Sequence, residues 1–433
     1  MEEQVFILTL DLDVLAAALQ EKLEPRSAPP VLSLGWAYLS RRYRDKGVDW
    51  LERIRNSDGI KWDLNSLFNL ACGLPRAAEA WDKLEKWDVH LPALYWQRVP
   101  INYLAVHDRD LRRACAELAR TGRFLQAVNL AGIYSRVSRD ADGKPTATNF
   151  DPEVVVQSLK GAAGQGLEGG WFPPPPGSIG SSIEGLLDHL ENAGVEPQRL
   201  AELEWIWFSL IHAHGQRASR SLKRLLAELP EKFVGMLKLA FRRRGGPAPE
   251  RVDGDQKRLA ENAFQLLHDW DQMPGSLIPP NGTGGREFPF PSGNVNGEAL
   301  QGWIEKARKL AAGAGRAEVA DNYIGRVLAH SPMDADGTWP CLPVRQIIET
   351  EGFDEIGKAF STGLLERRGS YMVDGGKTEQ ILADKFSEMA KRVGVCGAFP
   401  KTIAILNGVA EFYTRESKRE KDRVAFEEFE GHA

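Results

Sequence analysis

Cysteine is scarce: the 433 residues hold four, Cys72, Cys115, Cys341 and Cys396, and no two form a C-x-x-C pair. That scatter argues against a zinc site and a disulfide framework and fits a reducing compartment, so a cytoplasmic location is expected. Long apolar runs are missing too. The richest stretch, Glu204 to His212, falls far short of the ~20 residues that cross a bilayer. The start, Met1-Glu2-Glu3-Gln4, is acidic where a secretory leader is basic, so no leader is expected. An excess of one charge is also lacking. Lys and Arg number 55 against 60 Asp and Glu, a formal net charge of −5, which supplies no global field to draw nucleic acid or an anionic membrane. Convincing strand alternation is nearly absent; Val5, Ile7 and Thr9 alternate within a stretch read as helix or coil.

What is present is helical periodicity. Ile183, Leu186, Leu187 and Leu190 fall at i, i+3, i+4 and i+7, as do Leu222, Leu225, Leu226 and Leu229. Leu259, Ala263, Leu266 and Trp270 repeat the pattern, and so do Phe353, Ile356, Phe360 and Leu364. Each set puts an apolar stripe on one helix face, which must be buried against a neighbour. Leu203 to Ile211 is apolar nearly all round, so a central helix covered on both sides is expected there. Proline and glycine at Gly73-Leu74-Pro75, Pro92, Pro100, Gly122, Pro197, Pro230 and Pro343 mark helix ends. The spacing predicts helix pairs of about 30 to 45 residues each, the usual repeat length. With 42% hydrophobic residues, the chain can fill the cores of several packed units.

The expected fold class is therefore all-α: a helical-repeat, solenoid-like array of helix pairs with a compact C-terminal helical module. An N-terminal array over residues 1–165 and central pairs over 178–272 lead to a Pro/Gly-rich linker at 273–297, then the module at 298–433. The linker reads MPGSLIPPNGTGGREFPFPSGNVNG, which suits neither helix nor central strand. Its Asn281-Gly282-Thr283 sequon is read as coincidence in a glycine-rich loop. The tail from Glu411 to Glu430, with pairs such as Glu411 and Arg415, should extend as a solvated helix.

Several motifs resemble chemistry and fall short of it. Gly375-Gly376-Lys377-Thr378 ends like a phosphate-binding loop, yet Tyr371 stands where the pattern needs a glycine. It reads instead as a turn, with Thr378 capping the next helix, whose apolar face is Leu382, Phe386, Met389 and Val393. Asp334-Ala335-Asp336-Gly337 and Asp140-Ala141-Asp142-Gly143 resemble calcium loops. The first has Arg345 where the bidentate carboxylate belongs, and the second has Lys144 at the third ligand position. Both read as Asp-Gly turns. His212 and His214, two apart on a helix, point to different faces and cannot share a metal. No nucleophile-elbow motif occurs. No catalytic, cofactor-binding or metal-ligating residue is therefore assigned, and no cofactor is expected.

One charged feature supports an alternative. Arg217, Arg220 and Arg224 share a helical face, and Arg242, Arg243 and Arg244 follow the next helix. Two such strips suit a phosphate backbone. They suit better a solvated face opposite Leu222, Leu225, Leu226 and Leu229 and a helix C-terminus favoured by cations. The chain holds 12 tryptophans. Trp36, Trp50, Trp81, Trp96, Trp270 and Trp303 sit on apolar stripes and are expected in the core. Trp171 and Trp339 lie in turns and are expected to pin those loops to a helix pair.

The C-terminal letters are less generic. Val319-Ala320-Asp321, Ile324 to Ala329, Pro332, Asp334, Asp336 to Pro340 and Val344-Arg345 come first. Ile347-Ile348-Glu349, Arg367-Arg368-Gly369, Gly375-Gly376, Pro400-Lys401-Thr402 and Tyr413-x-Arg415-Glu416 follow. Together they resemble the extreme C-terminal region of large bacterial multidomain proteins that carry signal-transduction (STAND-type) ATPase or other effector domains, of the phage-defence or stress-sensing kind. Residues 31–136 are more weakly similar to the helical stretches preceding that region, through Ala80-Trp81, Tyr95 to Pro100 and Gly122-Arg123 to Ala127-Val128. The resemblance implies a sensor or scaffold segment and carries over no catalytic residue; the ATPase and effector halves are not in this chain. The expected function is a non-enzymatic scaffold that binds a protein partner, such as an effector or ATPase subunit. Nucleic-acid binding through the arginines is the alternative, and no membrane is involved.

Overall fold

The computed structural model describes residues 30–56, 62–99, 106, 108–137, 150–165, 176–214, 217, 219–243, 253–276, 293–367, 374–395 and 397–430. The fold is all-α. Among the described residues the only β pairings are isolated bridges, Arg76 with Val106 and Ser276 with Val295. The chain divides into two compact units at the junction of Ala218 and Ser219. The expected central stretch 178–272 thus contributes to both. The ends of the expected linker are tied down, by the Ser276–Val295 bridge and by Gly293 N–H donating to Met333 O at 3.3 Å; residues 277–292, with the sequon, lie outside the described residues.

The first unit runs α1 (Pro30–Arg55), α2 (Leu64–Cys72), α3 (Ala78–Trp87), α4 (Leu91–Arg98), α5 (Asp108–Arg120) and α6 (Phe124–Val137). It continues with α7 (Pro152–Gln165), α8 (Pro176–Asn192), α9 (Pro197–Ile206) and α10 (Phe208–His214). Sequence neighbours pack on one another, α5 on α6 and α6 on both α7 and α8. The predicted stripe on α8 faces inward: Ile183, Leu186, Leu187 and Leu190 are all fully buried, each contributing roughly 1.5–3 kcal/mol. Trp50, Trp81 and Trp96 are core, as expected.

The apolar stretch Leu203 to Ile211 does not form one helix. The chain leaves the helix at Trp207 (φ −102°, ψ 9°) and restarts at Phe208. The Trp207 indole N–H donates to Leu159 O at 3.2 Å, and Ile206 is turned out, 42% exposed. Covering an all-round apolar helix would require neighbours on every side. Breaking it lets Trp207 reach a backbone acceptor on α7 instead, which satisfies its buried N–H.

The second unit runs α11 (Arg220–Glu228), α12 (Pro230–Ala240), α13 (Gly254–His268), α14 (Gly297–Gly313) and α15 (Ala317–Leu328). It ends with α16 (Leu342–Glu349), α17 (Asp354–Glu366), α18 (Lys377–Val395) and α19 (Pro400–Glu430). Trp270 and Trp303 enclose Phe233, each with ring centroids 5.2 Å from it. The stripe on α17 is buried throughout, Phe353, Ile356, Phe360 and Leu364. Two stripes are incomplete at their ends, where Leu229 and Leu259 are each 37% exposed. α15 and α17 approach backbone to backbone at Gly325, where a β-carbon would strike the Ile356 carbonyl and Ala359.

Carboxylates and amides from outside each helix accept from some of its first N–H groups. Asp63 accepts from Ser66 N at 2.7 Å and Asn296 from Ala299 N at 3.0 Å. Glu349, far off in sequence, accepts from the Lys401 and Thr402 amides at 3.1 and 2.9 Å and so caps α19. That helix continues to Glu430, as expected. In its last turns the ion pairs among the described residues include Arg419–Glu416 and Arg423–Glu420, not Glu411–Arg415.

A polar knot in this unit makes stability depend on pH. Burial, together with the cations of Arg367 and Lys223, holds the His330 imidazole well below its ordinary 6.5. The unfolded chain binds that proton near pH 6.5, and the folded chain binds it only at much lower pH. Stability from this group is therefore complete above about pH 6.5 and is lost as pH falls, by at most about 1.4 kcal/mol per unit. Urea melts between about pH 7 and pH 5 should show that slope in the wild type and a flatter one in His330→Gln; equal slopes would exclude His330 as its source.

Candidate interaction surface

The basic strip does not survive folding as a strip. The Arg217 side chain is only 4% exposed and belongs to the first unit, where it meets carboxylates from α8 and α9. Its Nε donates to Asp188 at 2.8 Å, one Nη to Glu191 at 3.0 Å, and the other to the fully buried Glu204. Its backbone N–H reaches Glu184 at 2.5 Å. Burial alone would lower the guanidinium pKa; the carboxylates of Glu204 and Asp188 outweigh it, and the pKa is raised. A cation so enclosed cannot meet a phosphate, so Arg217 is removed from the candidate set. Arg220 is partly buried at the start of α11. Arg224 is exposed but pairs with Glu228 one turn on, at 2.6 Å. Arg242 and Arg243 are exposed at the end of α12, and Arg244 lies outside the described residues.

Two of the motifs that resembled chemistry are spent on structure. At Gly375-Gly376-Lys377-Thr378 the anion position is taken by the protein itself. Asp374 accepts from the Lys377 and Thr378 amides, both at 3.0 Å, and from the Thr378 hydroxyl. The cap of α18 is therefore Asp374, not Thr378. Those bonds, led by that from Thr378, hold the Asp374 carboxyl below its usual range. Gly376 (φ +76°) touches α19: Ser417 Oγ donates to its carbonyl at 2.7 Å, and a β-carbon would strike the Ser417 backbone. The turn fastens α18 to α19 and leaves no nest for phosphate. Millimolar ATP with magnesium is accordingly expected to leave the melting temperature unchanged; a saturable rise abolished by Lys377→Ala would overturn this reading.

The Asp334 to Gly337 loop is a turn and a cap. Gly337 takes φ +79°. Asp336 accepts from Thr338 N at 2.8 Å, and Asp334 accepts twice from Leu342 N, at 3.1 and 3.0 Å, at the start of α16. Arg345, which occupies the position of a calcium-binding carboxylate, donates to Asp334 at 2.5 Å. Residues 140–143 lie outside the described residues, as does Trp171. The thiols among the described residues are no more reactive. Burial pushes Cys72 up to about 12 and raises Cys115 and Cys341, which disfavours the nucleophilic thiolate. No group of three or more His, Cys, Asp or Glu among the described residues is arranged to hold a metal ion. A cavity of about 90 Å³ lined by Cys115, Ala127, Ala131, Val155 and Leu186 is mainly apolar, and far below the ~300 Å³ at which ligand pockets begin.

One exposed constellation was not visible in the sequence. In the second unit, Phe241, Phe264, His268, Arg326 and Tyr323 close a circuit. Phe241 lies 6.0 Å from Phe264 and 5.7 Å from Tyr323, ring to ring. His268 lies parallel to Phe264 (6°, 6.3 Å). Arg326 reaches His268 Nδ1 at 3.4 Å and lies over Tyr323 at 5.4 Å. Glu366 accepts from Arg326, and Arg316 Nε donates to Phe241 O at 3.0 Å, fixing the surround. Tyr323 is the buried floor, at 4% exposure, while Phe264 is 46% exposed. The one hint in the sequence was the i, i+4 spacing of Phe264 and His268 on a face away from Leu266.

Compared with known proteins, the chain matches no family model, no curated protein and no solved structure.

Proposed function

We propose that this chain is a non-enzymatic helical scaffold that recognises a protein partner, as the sensor or adaptor part of a bacterial defence or signalling system. The observation that carries the reading is the exposed aromatic circuit of the second unit. A half-exposed phenylalanine beside arginines is the composition of an interface centre rather than of ordinary surface. The capping and packing roles of the catalytic-looking motifs support it. The defence or signalling setting rests on the resemblance of residues 316–422. Nucleic-acid binding retains the exposed Arg224, Arg242 and Arg243 of its original arginines, but has lost Arg217 to the interior. The test is co-expression with the products of neighbouring genes, followed by native mass measurement of the purified material. A defined complex is expected. Purified chain that turns over a substrate, or that stays alone with every neighbour, would overturn the proposal.

A further inference from the structure

We infer that the face formed by Phe264 and His268 on α13, with Arg242 and Arg243 at the end of α12, docks an acidic amphipathic segment of the partner. This rests on the reading that a protein partner exists, and it adds where and through what chemistry that partner binds.

Three observations lead there. Phe264 and His268 lie parallel, both open to solvent, beside a base of Phe241 and Tyr323, whose rings pack 5.7 Å apart. A fixed base matters because anchoring an apolar side chain then costs the protein little side-chain entropy. Next to it, Arg242 and Arg243 are exposed and make no ion pair among the described residues. Arg243 lies along the Gly315 turn, and Phe241, just before the two arginines, is pinned by Arg316. The cations are thus carried on a fixed piece of backbone beside the rings. An apolar anchor on Phe264 with carboxylates toward Arg242 and Arg243 satisfies both features at once.

Charge also discriminates between partners. Glu261, one turn before Phe264, is exposed and pairs with Lys257 at 3.7 Å, and Glu366 stands at Arg326. A nucleic-acid strand brings one phosphate per nucleotide and would meet these carboxylates with two unpaired arginines among the described residues, Arg242 and Arg243, in compensation. A peptide places its carboxylates selectively and avoids them. The observations therefore favour an acidic peptide.

The test uses the full chain and a fluorescein-labelled 16-residue peptide with Leu at i, i+3, i+4 and i+7, a few Glu on one flank of that stripe and Ala or Gln elsewhere, read by anisotropy at low and moderate salt. Binding is expected, with affinity reduced about tenfold or more by Phe264→Ala and by the pair Arg242→Glu and Arg243→Glu. Ile381→Ala, at an exposed site on α18, should leave it unchanged. Phe264 is half exposed, so its variant should retain the wild-type melting temperature, to be checked on the same samples. No binding, equal binding of the Glu-to-Lys peptide, or indifference to the two variants would overturn the inference. Preferential capture of a twenty-residue oligo-dT sensitive to the same substitutions would overturn it in favour of nucleic acid. A co-expressed partner that binds these variants as well as the wild type would leave the scaffold reading intact and end this one.

Discussion

Arg217→Met is expected to destabilise the first unit by about 3–5 kcal/mol, because it strands a charge in the interior. The loss does not come from the outer contacts. Asp188 and Glu191 are 49% and 40% exposed, and ion pairs that open to water are worth little. It comes from Glu204, whose side chain is fully buried on α9 and pairs with the Arg217 guanidinium. With a slope of about 1–3 kcal/mol per molar, the urea midpoint of this unit should fall by about 1 M or more. Arg217→Lys should not rescue it, since an ammonium cannot reproduce the planar fork shared among three carboxylates. Arg217→Met combined with Glu204→Leu should recover much of the loss, because replacing both members of a buried pair is often close to neutral. A single variant as stable as the wild type would show that the cluster is better solvated than its burial implies.

Trp339→Ala should cost the second unit about 3–5 kcal/mol, the range for removing a buried large aromatic. Trp339 is fully buried, stacked on Phe360 of α17 (5.8 Å) and edge-on to Phe386 of α18 (6.4 Å). Its indole N–H donates to Ser331 O at 2.7 Å. Around that bond Ser331 Oγ accepts from Cys341 N at 2.9 Å. Removing the indole therefore opens a void and leaves the Ser331 carbonyl without this donor. Trp339→Phe should recover the packing but not the hydrogen bond, and so fall between wild type and alanine. Thermal melts of the three proteins decide this; equal melting temperatures would mean that the loop is not pinned through Trp339.

The packing of Trp339 bears on what the C-terminal letters mean. Many of the residues that carry the family resemblance have packing or capping roles. Asp321 takes a bidentate bond from Arg308 at 2.8 and 3.0 Å. Asp334 caps α16, and the Lys401-Thr402 start of α19 is capped by Glu349. Tyr413 stacks on Phe386 at 5.9 Å. A likeness built on such residues speaks first of architecture, and the function proposed above stands on the exposed circuit of aromatics and arginines.

The sequence alone determined most of the helices and the core of their buried faces. Periodicity is a local property, and a stripe such as Ile183 to Leu190 or Phe353 to Leu364 can be read without knowing its neighbour. It also excluded the phosphate loop, since Tyr371 breaks the spacing whatever surrounds it. The fate of the arginines was decided only by tertiary structure. Arg217 and Arg224 look alike on a helical wheel, yet one is enclosed by carboxylates brought from α8 and α9 while the other stays in solvent with Glu228. The break at Trp207 depended on an acceptor 48 residues away on α7. The circuit from Phe241 to Arg326 likewise required three separate segments to converge. Burial and ion pairing over such separations depend on which surfaces meet, and one-dimensional spacing does not contain that information.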